Sequence, residues 1–135
     1  MVIVVVRWYI RKDQEDKFVT TWEEMDPKFK DGLFREFFSK PIDEPNEKYH
    51  TLDFESQHYT TYINVGTWRD ITDFDKAIGS MIPGRDKNPE RDKNPKKKNK
   101  ELIEVYDFEY KLRERIVMTV EKMRAGEWDL PPADF

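Results

Sequence analysis

Cysteine is absent from the chain, which excludes disulfides, thiolate metal ligands and cysteine nucleophiles. This fits a reducing compartment, and the expected location is the cytoplasm. Histidine is nearly as scarce, with only His50 and His58. A metal site would have to lean on carboxylates, no paired spacing such as His at i and i+4 occurs, and none is expected. Long apolar runs are missing as well. The opening run Val2–Val6 has no small-residue cleavage site behind it and falls far short of the roughly 18 residues that span a bilayer. It is expected to be a strand, and no membrane partner is expected. Basic residues do not predominate: 24 Lys and Arg against 28 Asp and Glu leave a net charge of -4, which gives no global attraction to nucleic acid. No nucleotide-binding loop, serine triad or paired-carboxylate signature stands out.

What the chain does have is aromatic mass. Charged residues make up 39% of it, a level that by itself points toward disorder, but four Trp, six Tyr and nine Phe supply the buried area a compact core requires. At 135 residues one core suffices. The expected organisation is a single domain over 1–126 and a tail over 127–135.

The order of elements follows from periodicity. Val2–Ile10 is almost continuously β-branched or aromatic, as in a strand covered on both faces. Asp13 is placed to cap a helix whose Phe18, Trp22 and Met25 share one face before Pro27. Gly32 opens an aromatic strand over Leu33–Lys40, and Tyr59–Trp68 forms another. Thr72 is a second cap, with Phe74, Ala77 and Ile78 on one face of a short helix that ends by Pro83 and Gly84. Leu102, Ile103, Tyr106 and Tyr110 repeat at helical spacing, and Ile116, Met118 and Val120 then alternate as a last strand. The resulting β-α-β-β-α-α-β order predicts a ferredoxin-like α+β fold with helices on one face of a four-stranded antiparallel sheet. A sheet so rich in aromatics would leave its other face apolar and bare, which makes a homodimer the expected remedy.

Two segments depart from this plan. Pro41–Ser56 is too long for a tight hairpin and reads as an arm, a lid or a solvated loop. Residues 85–100 carry the tandem RDKNPE and RDKNPK and a lysine run, with eight basic and three acidic residues, so the rest of the chain carries -9. A charged insertion of this kind reads first as a solvated loop, and otherwise as an anion-steering or acidic-partner surface.

The stretch from Tyr62 through Asn64, Gly66, Trp68 and Asp70 to Phe74, in this element order, resembles the antibiotic biosynthesis monooxygenase family of dimeric α+β barrel proteins over roughly Val2–Met123. The resemblance implies a barrel built from two copies. It also implies, for the members that oxidise polyketide anthrones without a cofactor, an Asn four residues before a Trp and an aromatic, often Tyr, six after it. Asn64, Trp68 and Phe74 occupy those places. The haem-degrading branch needs an Asn on the first strand and a His on the helix after the Trp, and this chain has neither, so no cofactor is expected.

On a regular strand Asn64 and Trp68 point the same way, together with His58, Thr60 and Tyr62. Asn64 then orients a carbonyl or enolate oxygen while Trp68 and Phe74 wall an aromatic ring. Phe74 brings no hydroxyl, so proton transfer falls to His58 or Tyr62. Arg7 and Tyr9 line a polar cavity or interdigitate across the dimer seam. The competing functions are a cofactor-independent oxygenase for an aromatic or quinol-like molecule and a non-catalytic dimeric module that binds a small ligand or serves assembly. For Trp68, Asn64 and Phe74, purely structural roles are equally open.

Overall fold

A computed structural model describes residues 1–24, 30–43, 48–53, 56–81 and 110–133. Its elements are β1 (Val2–Arg11), a 3-10 turn (Lys12–Gln14), α1 (Glu15–Glu24), β2 (Leu33–Ser39), β3 (Tyr59–Trp68), α2 (Ile71–Met81) and β4 (Tyr110–Thr119). The strands form one antiparallel sheet in the order β2-β3-β1-β4. The β-branched run of β1 fills the centre, where both neighbours pair with it from Val2 onward. The ferredoxin-like plan is the one observed.

Backbone pairing sorts the side chains. Even-numbered residues of β1 and β3 face the helices: Val4, Val6 and Ile10 are buried there, with Tyr62 and Trp68 beside them. Two core clusters result. Val4, Val6 and Trp68 pack against Phe74, Ala77 and Ile78 of α2, while Ile10 and Tyr62 pack against Phe18 of α1. Burying each such side chain contributes roughly 1.5–3 kcal/mol.

Several boundaries differ from the sequence reading. The cap of α2 is Asp70, not Thr72: its Oδ1 accepts from the Asp73 N–H at 2.9 Å, and the helix starts at Ile71. Asp13 lies inside the 3-10 turn and pairs with Arg11 at 3.1 Å instead of capping α1. Tyr110 opens β4 and is not helical, because β4 stays paired to β1 as far as Ile10, across an irregularity between the partners of Trp8 and Ile10. Residues 102–109 of the expected third helix, and the basic repeat at 85–100, lie outside the described residues.

Gly32, at φ 91, makes the turn into β2, and a side chain there would collide with the Asp73 carboxylate. Its carbonyl accepts from the Arg69 N–H at 2.7 Å, which ties the entry of β2 to the start of α2. One extra residue, Phe34, interrupts the pairing of β2 with β3 between Leu33 and Arg35. Among the described residues, no helix is long and apolar enough to cross a membrane.

Candidate functional site

Between the two core clusters the helix-covered face turns polar. The pairing registers bring Phe38, Asn64, Val6 and Arg115 into one row across the sheet, and Glu36, Gly66, Val4 and Val117 into the next. Leu33 also faces the helices, where it packs against the α2 cluster. The bulge at Phe34 resets the alternation, so that Glu36 and Phe38 follow it onto the same side while Phe37 goes to the other. Polar side chains, among them Glu36, Asn64 and Arg115, therefore sit on a mainly apolar face.

Asn64 is tied to α1. Its Oδ1 accepts the indole N–H of Trp22 at 3.2 Å, and its side chain favours the charged form of the neighbouring Glu36 carboxyl. Burial pushes the Glu36 carboxyl above the ordinary carboxylate range, while the Asn64 side chain and the charge of Lys30 partly offset the rise. Gly66 lies directly opposite Glu36. A Cβ at Gly66 would stand 2.9 Å from Trp68 Nε1 and 3.8 Å from Glu36 Oε2, so the bare glycine lets an indole donor and a carboxylate acceptor border the same spot.

Aromatic walls stand on either side. Toward α1, Trp22 and Phe38 lie 4.7 Å apart between ring centroids, Phe38 stacks on Tyr62 at 5.2 Å, and Phe18 and Trp8 complete the group. Toward α2, Trp68 meets Phe74 edge-on at 5.7 Å, and the Arg115 guanidinium lies over the Phe74 ring at 5.6 Å.

Of the residues expected at the site, Tyr62, Asn64, Trp68 and Phe74 share the helix-covered face. Tyr62 is turned to the outer end of α1, where its hydroxyl donates to Glu15 Oε1 at 2.7 Å. Burial first, and then the Glu15 carboxylate, raise the phenol above its ordinary value, so it holds its proton. His58 is not on the strand. It is exposed in the turn before β3, where the backbone is held by the Lys12 N–H on its carbonyl at 2.9 Å, and the even-odd rule has no purchase on a residue outside the ladder.

Arg7 and Tyr9 lie on the opposite, open face. There Arg7 donates to both oxygens of Glu114, at 2.7 and 2.6 Å, and stands beside the Tyr9 ring. Arg7 and Glu114 join Val5, Leu52, Ile63 and Ile116 around a shallow depression of about 330 Å³. Glu36, Trp22 and Arg115 were not legible as site residues. The one available signal for Glu36 was a carboxylate inside an otherwise aromatic strand. Among the described residues, no group of three or more His, Asp or Glu is placed to share a metal ion.

No family model matches the sequence, and no curated protein matches it. A solved structure does share its architecture. A candidate antibiotic biosynthesis monooxygenase from Deinococcus radiodurans superposes with a TM-score of 0.58 at 8% identity, over 95% of this chain and 100% of that one. A point variant of SnoaB, a cofactor-independent oxygenase from Streptomyces nogalater, gives 0.46 at 14% identity, over 90% and 94% of the two chains. A second SnoaB structure gives 0.42 at 12% identity, over 90% and 95%. The ferredoxin-like protomer fold implied by the sequence resemblance is the one observed, and it is shared with that candidate antibiotic biosynthesis monooxygenase.

Proposed function

We propose that the helix-covered face, at Asn64, binds a flat, hydroxylated or quinol-like aromatic molecule and promotes its reaction with dioxygen without a cofactor. The observation that carries this reading is the amide of Asn64, held by the Trp22 indole at 3.2 Å midway between two aromatic walls. An amide fixed in this way costs little further ordering when an enolate or phenolate oxygen arrives, which is how a preorganised donor stabilises developing charge. Trp68 and Phe74 supply the wall for the ring, and the Trp68 indole N–H, beside Gly66, supplies a second donor. For an anthrone-like substrate the balanced change is a ring methylene plus dioxygen giving a carbonyl plus water.

The working form in this reading is a homodimer. The open face of the sheet carries Phe37, Ile116 and Met118 exposed, with Ile3, Val5, Ile63 and Val65 around them, a patch that a second copy would cover. The second reading, a dimeric module that retains a small ligand without turnover, is favoured by Phe74 standing where related enzymes place a Tyr and by the engagement of the Tyr62 hydroxyl with Glu15.

The test is oxygen uptake on a hydroxylated anthrone with no flavin or metal added, comparing the natural protein with Asn64→Ala and Trp68→Phe. Loss of the Asn64 amide is expected to lower kcat/KM about 100-fold, as removal of an oxyanion donor does elsewhere, in a protein that stays folded. Tight retention of the ring with no uptake above the buffer rate would favour the second reading.

A further inference from the structure

The oxygenase reading leaves proton removal unassigned, since Phe74 has no hydroxyl, Tyr62 is bound to Glu15 and His58 is exposed in the turn before β3. We propose that Glu36 is the catalytic proton acceptor of this site, taking the acidic hydroxyl or ring proton of the aromatic substrate, an assignment that rests on that reading. In this step the substrate O–H or C–H bond breaks, its electron pair stays on the substrate, and a new O–H bond forms on the Glu36 carboxylate. No oxidant enters until the resulting anion meets dioxygen.

The geometry for this is specific. The bulge at Phe34 turns Glu36 inward, and the missing side chain of Gly66 lets Trp68 Nε1 close on the backbone opposite Glu36. A substrate oxygen between Glu36 and Trp68 Nε1 would face an acceptor on one side and a donor on the other. Asn64, held by Trp22, is the neighbour that favours the ionised carboxylate of Glu36. Burial raises the Glu36 carboxyl, which makes its ionised form a stronger base than a surface glutamate. Lys30 pulls the other way. Arg115 faces the helices from β4, α1 offers the Trp22 indole, and α2 offers the neutral ring of Phe74.

The test compares the natural protein with Glu36→Gln and Glu36→Asp, all confirmed as folded by circular dichroism. Turnover is followed by oxygen uptake on a hydroxylated anthrone, and binding by quenching of tryptophan fluorescence with a hydroxyanthraquinone. Glu36→Gln is expected to lower kcat about 100-fold, to keep anthraquinone affinity within about threefold of the natural protein, and to lose the acid limb of the pH–kcat profile. Glu36→Asp, which keeps a carboxylate, is expected to recover about tenfold of the loss. If Glu36→Gln turns over at the natural rate with the acid limb intact, the assignment is wrong while the oxygenase reading stands. If the natural protein neither binds the anthraquinone nor consumes oxygen, both fall together.

Discussion

The two faces of the sheet are built from the same strands yet solve different problems. The helix-covered face packs Val4, Ile10, Trp68 and Phe74 tightly and then breaks its apolar surface with Glu36, Asn64 and Arg115. The open face is apolar at its middle, through Val5, Phe37, Ile63, Val65 and Ile116, and keeps an ion pair, Arg7 with Glu114, half in solvent. Burying polar groups costs stability unless each finds a partner. On the covered face Asn64 is engaged by the Trp22 indole and Arg115 by the Phe74 ring, at a cost that points to chemistry. On the open face the surface stays uncovered, which points to association.

Substitutions can break this contrast. The largest effect is expected from Trp68→Ala. Trp68 is 2% exposed, and its truncation should cost about 3–5 kcal/mol in chemical denaturation, as for other buried aromatics. A cost below about 1 kcal/mol would mean that the α2 cluster does not act as the core its packing describes. On the open face, Ile116→Asp should leave the stability of a monomer within about 0.5 kcal/mol, since Ile116 is 56% exposed. Sedimentation equilibrium should nevertheless show self-association weakened by about tenfold or more, the equivalent of about 1.4 kcal/mol. An unchanged association constant would move the interface elsewhere.

The smallest effect sharpens the contrast. Because burial raises the Glu36 carboxyl in the folded state, its contribution to stability is full below the unfolded carboxylate value and is lost as pH rises through the folded one. At pH 7 ionised Glu36 therefore weakens the fold. Glu36→Gln should raise Tm modestly at pH 7, and the gain should fade in acid, where the natural residue is protonated. Thermal melts at the two pH values check this, and a variant less stable than the natural protein at pH 7 would contradict it.

Much of the scaffold was legible in the chain. The bounds of β3 followed from its β-branched and aromatic run, and strand parity correctly grouped Tyr62, Asn64 and Trp68. Parity failed wherever the ladder was irregular. A reading in steps of two from Leu33 puts Arg35 and Phe37 inside, whereas the bulge at Phe34 brings in Glu36 and Phe38. It also failed one residue before β3, at His58, and at the start of β4, where the pull of β1 as a pairing partner outweighed the helical spacing of Tyr110 with earlier residues. The neighbours of Asn64 come from β2 and α1, and contacts so distant in sequence leave no mark on local periodicity. The Tyr62–Glu15 bond hid in the same way.

The irregularities have one further effect, on what the sheet refuses to do. Both outermost strands are interrupted, β2 at Phe34 and β4 between the partners of Trp8 and Ile10. A bulge twists an edge and breaks the row of free N–H and C=O groups that a stray strand would need as a template. An aromatic-rich, β-branched sheet is thereby protected against growing sideways into aggregates, while its broad open face remains available for ordered assembly.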